Sequence, residues 1–578
     1  MSRRLDTRSQ LIGHARLIFF LGAAAGAGAK TYHYLESWWL PAASMVIFVG
    51  FVFWHAAVAR EEARTQALVD LQKRGLMRLD GQWRNFASKG ERFAVEGHLY
   101  GADLDVFGQG SLFQLLDETA TRQGEEVLAR WLFKPPEALA EVRERQGAVE
   151  ELSKKLEFRQ ALVTEAKLAG PTKADLAKFL AWAEGPGLGG LFTVAFALAH
   201  VLPLVTIVLE VLAQQEILLP WVPFLGLLAQ LVLMMATFKP LGGLFEALLH
   251  SEQGAVRFER AFAAVAAEKF EHPLLSRLRT GAEQDGQPVA AKLSRFERLF
   301  GFASLKAAKE VHWIFNWLLL WDLHFLVRLD QWRAKHGKQV RRWFDSLSEL
   351  EALASLSTFR FERPETVFPT LLDGPARFKA VGLGHPLLEK PVVNDVELSQ
   401  PGAALVITGS NMSGKTTFLR TIGITEVAAL AGLPVVAKQC EVSLMQAMTS
   451  MRLKDSLERG VSYFYAEVQR VKLLLDTARA RPQGCLFLLD ELFLGTNARE
   501  RAIASKALVK QLLELGGIGA ITTHDLALTE LAGGKVVNVH FTDSVDGVQM
   551  TFDYRLREGI AQTTNALELL RRAGVPVS

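Results

Sequence analysis

A single stretch, ITGSNMSGKTTFL at residues 407–419, restricts the fold of this chain more than any other segment. Within it, Gly409 and Gly414 are separated by four residues, and Lys415 and Thr416 follow directly. In this spacing the glycines let backbone N–H groups close around phosphate oxygens, and the N-terminus of the following helix adds a favourable dipole. The stretch therefore predicts a strand, a phosphate-binding loop and a helix, in that order.

Short apolar runs in the same part of the chain end in polar residues. They are AALVITG at 403–409, CLFLLDE at 485–491 and IGAITTH at 518–524. Such runs, alternating with helical segments, are typical of an α/β domain whose functional groups lie at the carboxyl ends of parallel strands. We therefore expect an α/β P-loop domain over residues 377–578.

The polar ends of these runs complete a candidate site for nucleotide hydrolysis. Lys415 is expected to reach the β- and γ-phosphates of ATP, while Thr416 and Asp490 are expected to hold Mg²⁺. Glu491 occupies the position of a base that activates water. His524 ends the third run, where a sensor of the γ-phosphate is favoured over a purely structural histidine. A chance match in a glycine-rich turn is the alternative, and the acidic pair after the second run argues against it.

Uncharged apolar stretches help to raise the hydrophobic fraction of the chain to 49%. Residues 38–59, 191–209 and 217–237 contain no charged side chain. At a rise of about 1.5 Å per residue, helices of this length cross a hydrocarbon core of roughly 30 Å. Buried core helices are the alternative interpretation, and the repeated occurrence of such runs favours membrane spans. A fourth run, at 17–29, also resembles a signal peptide, and we expect a short span there.

Charges around these runs predict their orientation. The two connecting loops, at 30–37 and 210–216, contain one basic residue between them, whereas arginines and lysines flank the first hairpin on both sides. Because basic flanks stay on the cytoplasmic side, both hairpins point outward and both termini remain inside. The sequence therefore predicts a multi-pass membrane protein with four spans in the lipid bilayer and a cytoplasmic ATPase domain.

The segments between and after the hairpins are helical in character. Apolar positions at three- and four-residue spacing indicate a helix over 111–133, and a proline followed by acidic residues indicates the start of another over 135–156. A stripe of tryptophans runs through 311–327. We interpret that segment as an amphipathic core or interfacial helix, because a fifth span would put the phosphate motif outside the cell.

Several motifs together resemble the MutS family of ATPases. GSNMSGKTTFLR at 409–420 is similar to the phosphate loop of that family, including the pair Asn411 and Met412 and the closing Thr417. Three further matches are DSLERGVSYFYAEV at 455–468 with the family's signature segment, DELFLGTNARE at 490–500 with its metal-binding strand and loop, and TTHDL at 522–526 with its histidine loop.

The resemblance extends beyond the nucleotide motifs. Residues 384–398 resemble the family's lead-in strand, residues 553–577 its closing hairpin and helix, and residues 111–135 the start of its core lever domain. It implies an ABC-type, MutS-like α/β P-loop ATPase joined to an α-helical core and lever domain. The implied ATP-binding residues are Gly409, Asn411, Met412, Gly414, Lys415, Thr416 and Thr417.

The resemblance also implies partners. Ser462 takes the position that completes the site of a neighbouring subunit, so a homodimer is expected. The apolar runs and the resemblance together predict the organisation of the chain. It is an N-terminal transmembrane hairpin (1–60), a helical MutS-like core region (61–187), a second transmembrane hairpin (188–238), a helical core and lever region (239–376) and the ATPase domain (377–578).

Departures from the family pattern change the expected role. No Phe-x-Glu occurs in the chain, although mismatch-reading members use that pair at the mispair. Membrane hairpins are predicted where soluble members have other regions. PVV at 391–393 lacks the aromatic residue that usually stacks on adenine. The chain is therefore similar to membrane-anchored MutS-like proteins rather than to a mismatch-repair enzyme.

Three functions remain open from the sequence. The first is a membrane-tethered ATPase dimer that moves helical arms, with DNA as a weaker candidate partner, because the net charge is only +3 and the basic cluster at 328–342 also suits a solvated face or lipid headgroups. The second is an ABC-like transporter, against which the lack of an LSGGQ-like signature argues. The third is a membrane scaffold with a degenerate site, against which the complete set of site residues argues.

Overall fold

The computed structural model describes residues 2–31, 34, 37, 39–169, 176–252, 258–303, 316–451, 463–481, 484–493, 495–546 and 549–561. The helices, in chain order, are α1 (Ser2–Thr31), α2 (Trp39–Leu79), α3 (Leu112–Leu116), α4 (Arg122–Phe133), α5 (Leu139–Lys154), α6 (Leu156–Leu168), α7 (Ala177–Glu184), α8 (Gly190–Gln214), α9 (Val222–Glu252), α10 (Glu259–Ala267), α11 (Pro273–Gly281), α12 (Val289–Ala303), α13 (Trp321–Glu362), α14 (Lys415–Ala431), α15 (Tyr463–Ala480) and α16 (Ala498–Glu514).

The strands, in chain order, are β1 (Glu283–Gln284), β2 (Gln287–Pro288), β3 (Thr370–Leu372), β4 (Phe378–Leu383), β5 (Asn394–Leu398), β6 (Ala404–Thr408), β7 (Gln439–Ser443), β8 (Gln446–Ser450), β9 (Cys485–Asp490), β10 (Ile518–Thr522), β11 (Val536–Asp546) and β12 (Gln549–Glu558). All but the first two belong to the C-terminal α/β region, which agrees with the predicted α/β class.

The N-terminal hairpin pairs α1 with α2, and the rings of Phe19 and Phe51 stack at 5.5 Å between them. Three described helices are long and apolar enough to cross a membrane, judged by length and composition: Leu11–Ala29, Trp39–Leu79 and Phe192–Gln214. α2 continues without a break to Leu79, so the predicted boundary at residue 60 lies inside a helix.

Of the four predicted spans, the run 217–237 corresponds to a helix that starts late, at Val222. The part of α9 described as apolar is Val222–Thr237, shorter than the three long apolar helices. Pro220 and Pro223 account for the late start, because proline is accepted in the first turn of a helix but breaks a helix interior. By contrast, the weaker run at 17–29 lies within one of the three long apolar helices.

The helical region also differs in detail from the sequence pattern. The single helix predicted over 111–133 is two helices, α3 and α4, because Thr121 caps α4 by accepting a hydrogen bond from the backbone N–H of Gly124 at 2.9 Å. An N-cap residue has extended backbone geometry and so ends any continuous helix before it. α5 begins at Leu139, four residues after Pro135.

The segment 311–327 is not one continuous helix. Residues 304–315 lie outside the described part of the chain, residues 316–319 are helical, and Leu320 has a left-handed φ of 50°. α13 starts at the next residue and runs for 42 residues along the helical region. The indole N–H of Trp317 donates to the carbonyl of Leu227 at 3.2 Å, which holds this segment against α9.

The phosphate motif lies at the centre of a six-stranded sheet with the order β12-β11-β6-β10-β9-β8. β8, β9, β10, β6 and β11 are parallel, and β12 closes one edge in antiparallel orientation. The predicted runs at 403–409, 485–491 and 518–524 are thus neighbouring parallel strands, as expected. A second sheet, with the order β3-β7-β4-β5, is formed by the remaining strands of the same region.

α14, the helix that follows the phosphate loop, packs between this sheet and the helical region. A Cβ atom added to Gly423 would lie 2.6 Å from Leu104 of the helical region and 2.7 Å from Leu488 of β9. Any larger side chain would force these elements apart. The glycine therefore allows the nucleotide helix to touch both parts of the protein at once.

Candidate functional site

The phosphate loop joins β6 to α14 and contains two glycines with positive φ. Gly409 has φ 144° and Gly414 has φ 104°, both in the region that favours glycine. A Cβ atom on Gly409 would also lie 2.9 Å from the carbonyl oxygen of Phe541. Side chains are therefore excluded from the loop at these points, and its backbone N–H groups remain accessible at the N-terminus of α14.

Lys415, the first residue of α14, is buried and points back over the loop. Its Nζ donates to the carbonyl oxygens of Gly409 at 3.0 Å and Ser410 at 2.9 Å. Burial lowers the pKa of this amine, and the nearby carboxylates of Glu491 and Asp490 oppose that shift. An anion in the loop would add negative charge beside the buried ammonium.

Oxygen ligands suitable for a divalent cation converge beside the lysine. The hydroxyl of Thr416 donates to Asp490 Oδ2 at 2.8 Å, and the hydroxyl of Thr522 donates to the other carboxylate oxygen of Asp490. No group of three His, Cys, Asp or Glu side chains suited to a metal ion occurs among the described residues. A hydroxyl plus one carboxylate fits Mg²⁺, which takes few protein ligands and completes its shell with phosphates and water.

A second polar group faces the same space. His524 Nε2 lies 2.8 Å from Glu491 Oε1, 2.8 Å from Asn411 Oδ1 and 3.3 Å from Lys415 Nζ. The tautomer of His524 sets the role of this nitrogen: Nε2 donates to one of the two oxygens when it carries the proton, and accepts from the Lys415 amine when it does not. The histidine thus links the residue after β9 to the phosphate loop.

Glu491 has an unusual backbone conformation, with a φ of 44°. A left-handed conformation at a non-glycine residue costs on the order of 1–3 kcal/mol and persists only where the surroundings enforce it. Here the N–H of Glu491 donates to the carbonyl of Thr522 at 3.3 Å, and Phe493 two residues later has a φ of 60°. The strain points the carboxylate back towards His524 rather than along the strand.

Two side chains near the site were missed by the sequence analysis. Glu467 of α15 is buried and accepts a hydrogen bond from the N–H of Phe493 at 2.8 Å, which supports the strained turn after β9. The ring of Tyr554 on β12 lies against Gly414, 3.1 Å from where a Cβ atom would be. The only sequence signal for Tyr554 was an aromatic residue within the otherwise polar strand β12. Glu467 lies in the segment 455–468 that resembles the family's signature, so that segment could have pointed to it.

The remaining predicted residues lie at the margin of the site or outside the described residues. Met412 has a φ of 68° and an 84% exposed side chain at the tip of the loop. Thr417 is exposed, and its carbonyl accepts a hydrogen bond from the hydroxyl of Thr421 at 2.7 Å. Ser462 lies outside the described residues, immediately before α15.

A cavity of about 110 Å³ adjoins the carboxylate of Glu491. Its walls include His524, Arg501 and Asp525 in addition to Glu491. A volume of this size accommodates several water molecules, because one water needs only about 10–15 Å³ of accessible space. The cavity therefore has room for water next to Glu491, which the sequence predicts to be a base.

The strand, glycine loop and helix, with the acidic pair at the end of a neighbouring parallel strand, define a P-loop nucleotide-binding protein. Models of two domains of one family match the chain: MutS domain III over residues 101–357 and MutS domain V, an ATPase domain, over residues 405–578. The chain belongs to the MutS family and carries these two domains.

Relatives agree with this assignment. Endonuclease MutS2 of Thermomicrobium roseum is 35% identical over 214 residues, which is 36% of this chain and 27% of the relative. DNA mismatch repair protein MSH3 of Phaeosphaeria nodorum is 31% identical over 268 residues, or 44% of this chain and 23% of the relative. Endonuclease MutS2 of Streptococcus equi subsp. equi is 28% identical over 254 residues, which is 43% of this chain and 32% of the relative. The matched region thus spans a quarter to a third of these relatives.

Proposed function

We propose that this protein is a membrane-anchored MutS-type ATPase that binds and hydrolyses MgATP, works as a homodimer and uses nucleotide-driven closure to move its helical region. The observation that carries this proposal is the convergence of Lys415, Thr416, Asp490, Glu491 and His524 at the carboxyl ends of three adjacent strands.

Each side chain has a distinct role in this proposal. Lys415 and the N-terminus of α14 bind the β- and γ-phosphates, and Thr416 and Asp490 hold Mg²⁺, which neutralises charge on the phosphates when bound. Glu491 accepts a proton from a water in the adjoining cavity. His524 donates from Nε2 and orients the carboxylate of Glu491. Because His524 Nε2 lies 3.3 Å from Lys415 Nζ, a movement of the lysine towards a phosphate would change the hydrogen bonds of the histidine.

Contacts between the two domains support coupling of this site to the helical region. In the N-terminal half of α14, Arg420 forms a salt bridge of 3.3 Å with Asp105. At its C-terminal end, Arg145 of α5 donates to the carbonyls of Leu430 and Ala431, both at 3.4 Å. A cation at a helix C-terminus is favourable because it offsets the helix dipole. Movement of α14 therefore pulls directly on the helical region.

Exposed apolar side chains support the membrane anchor. Phe53 is 72% exposed, Leu204 is 65% exposed and Phe224 is 66% exposed, and these residues lie on α2, α8 and α9 respectively. Soluble proteins rarely leave such large contiguous apolar surfaces in water, because each costs free energy in proportion to its area. A lipid bilayer would cover them.

Binding to DNA is a second candidate function, and the names of the relatives favour it, since they include an endonuclease and a DNA mismatch repair protein. The basic cluster at 328–342 gives it limited support. Arg333 pairs with Asp330 and Arg341 pairs with Glu184, so part of the positive charge is already neutralised. A salt-dependent affinity for duplex DNA would be the expected signature.

The ATPase proposal is tested with full-length protein purified in detergent. Glu491→Gln should keep MgATP binding and lose turnover by at least about 100-fold, because the change removes the base and leaves the phosphate cradle intact. Glu514→Gln, an exposed glutamate at the end of α16, is the matched control and should behave as the parent. Equal turnover in Glu491→Gln and the parent would remove Glu491 from the mechanism.

A further inference from the structure

We infer that a cavity between α12 and α13 binds the phosphate headgroup of an anionic phospholipid at the cytoplasmic face of the membrane. This inference rests on the proposed membrane insertion and adds a ligand that the ATPase function does not require. The cavity has a volume of about 650 Å³ and is lined by Arg295, Arg298, Leu299, Trp321, Phe325 and Arg328.

The arginines of this cavity have no direct ion pair among the described residues, although Arg298 lies within electrostatic range of Glu259. Arg295, Arg298 and Arg328 are exposed, and none forms a salt bridge within the described part of the chain. Further along α13, Arg333 and Arg341 do have carboxylate partners. The cavity therefore offers three guanidinium groups to an anion, and none of its described lining residues carries a carboxylate to repel one.

The position of α13 along α8 gives the depth of the cavity. Asp330 Oδ2 accepts a hydrogen bond from the N–H of Leu188 at 3.3 Å, just before α8 begins. At about 1.5 Å per residue, Arg328 lies roughly 3 Å from that level, towards the N-terminus of α13. One turn further, the ring of His324 lies 4.3 Å from the ring of His200, inside the apolar run of α8. Arg328 is therefore at the cytoplasmic border of the apolar layer.

α12 brings the other two arginines to the same border. The indole N–H of Trp332 on α13 donates to the carbonyl of Lys292 on α12 at 3.1 Å. From that contact α12 continues towards Arg298, while α13 runs back towards Arg328, and both line the cavity. Arg60, the first charged residue after the uncharged run of α2, acts electrostatically on Glu259 together with Arg298. The cytoplasmic end of α2 thus lies near the same level.

The arrangement of charges and rings suits a phospholipid. Guanidinium groups bind phosphate oxygens in a bidentate manner and are weakly hydrated, so they suit a headgroup site. Trp321 and Phe325 precede Arg328 by seven and three residues, so they line the deeper part of the cavity, where acyl chains lie. The lining residues that the structure describes include no carboxylate for a choline or ethanolamine cation, which favours an anionic over a zwitterionic headgroup.

The test uses the full-length protein in nanodiscs of phosphatidylcholine with phosphatidylglycerol, and measures by native mass spectrometry which lipid stays bound. The parent should retain phosphatidylglycerol over phosphatidylcholine by at least about tenfold, a preference of about 1.4 kcal/mol. Arg298→Gln with Arg328→Gln should reduce this preference to about twofold or less. Arg479→Gln with Arg481→Gln, at the end of α15, removes the same charge elsewhere and should leave the preference unchanged.

Other outcomes overturn the inference. An unchanged preference in the Arg298→Gln and Arg328→Gln protein would show that lipid binds elsewhere. Displacement of the lipid by inorganic phosphate would indicate a free-phosphate site. If the same double variant instead lost affinity for duplex DNA while keeping the lipid preference, the arginines would form a nucleic-acid contact.

Failure of the membrane proposal itself has a separate readout. Extraction of the full chain from membranes by alkaline carbonate would contradict membrane insertion, and with it this inference. A chain that resists carbonate but shows no anionic lipid preference would contradict the headgroup site alone. The double variant must match the parent in ATP turnover and thermal unfolding in detergent, which shows that it is folded.

Discussion

Thr416 donates a hydrogen bond to Asp490 Oδ2 at 2.8 Å, which joins the second residue of α14 to the last residue of β9. The two residues are 74 positions apart in the chain. Their contact depends on β10, which lies between β6 and β9 and sets the width of the site. In the proposed function, these two residues would hold Mg²⁺.

The first prediction concerns this pair. Asp490→Asn should lower ATP turnover by at least about 100-fold and raise the Mg²⁺ concentration needed for half-maximal activity, because a neutral amide is a poor ligand for a hard cation. A magnesium titration of turnover measures both effects. Asp476→Asn, on the exposed face of α15, is the control. An unaltered magnesium dependence in Asp490→Asn would assign the metal to other ligands.

The second prediction follows from the buried lysine. Burial lowers the pKa of Lys415 from its ordinary value, so the charged form that binds phosphate is lost at a lower pH than for an exposed lysine. ATP affinity should therefore fall as pH rises through that lowered pKa, and binding should take up protons there. Calorimetry in two buffers of different ionisation enthalpy measures the uptake.

Lys415→Arg provides the contrast for this pH effect, because arginine stays charged over the whole range. Lys415→Arg should bind ATP more weakly than the parent, but its affinity should stay constant as the pH rises into the alkaline range. Lys415→Ala should lose phosphate binding. If the parent and Lys415→Arg showed the same alkaline profile, another group would be responsible.

The third prediction concerns the packing of α14. Gly423→Ala should lower the free energy of unfolding by about 1–2 kcal/mol. The added methyl group crowds Leu104 and Leu488, and this cost exceeds the stability that alanine gains over glycine through its higher helix propensity. Thermal or denaturant unfolding in detergent measures the change. Gly190→Ala, at a helical glycine with open space around its Cβ position, should be neutral or slightly stabilising. Equal stability in the two variants would mean that α14 can shift freely.

The fourth prediction concerns topology. Single cysteines at Tyr34 and Gln214, both exposed, should react with impermeant reagents only from the outside of the cell. The native Cys440 and Cys485 are buried, and burial raises the pKa of each thiol to about 12, so the background should be low. Glu365→Cys, exposed after α13, should react only from the cytoplasm.

Labelling of either loop cysteine from the cytoplasmic side alone would refute the predicted orientation. A mature N-terminus near residue 30 would identify the first apolar run as a signal peptide. Position 214 is the more informative of the two, because it lies at the predicted outer end of the second hairpin, where the apolar part of α9 is short.

The fifth prediction is that two chains share each active site. Phe464 at the start of α15 packs against Gly495, so the segment after Ser462 lies beside the loop that follows Glu491. A bound γ-phosphate has oxygens that one loop leaves unsatisfied, and a serine or helix N-terminus of a second subunit can bind them. Ser462→Arg and Lys415→Ala should each be inactive alone.

Co-expression of the two variants tests the shared site. A mixed dimer has both lesions in one site and leaves the other site intact, so turnover should return. Persistent inactivity of purified mixed dimers would contradict sharing, or would mean that both sites must act together.

Much of the site followed from the sequence because its elements are local. The spacing of Gly409, Gly414 and Lys415 predicts a loop and the first turn of a helix without reference to the tertiary structure. Both depend on backbone conformations that are set by residues adjacent in the sequence. The apolar runs before Asp490 and His524 likewise predicted strands that end in functional side chains. Helical periodicity alone did not predict the breaks at Thr121 and Leu320, and at Thr121 the missed signal was a local N-cap.

Only the tertiary structure decided which distant residues meet. Strand order inserts β10 between β6 and β9, and this brings His524 within 2.8 Å of both Glu491 and Asn411. The support of Phe493 by Glu467 and the grouping of arginines between α12 and α13 arise in the same way. Sequence spacing carries the period of a helix or strand, but contacts between elements depend on how their faces pack, which no local pattern encodes.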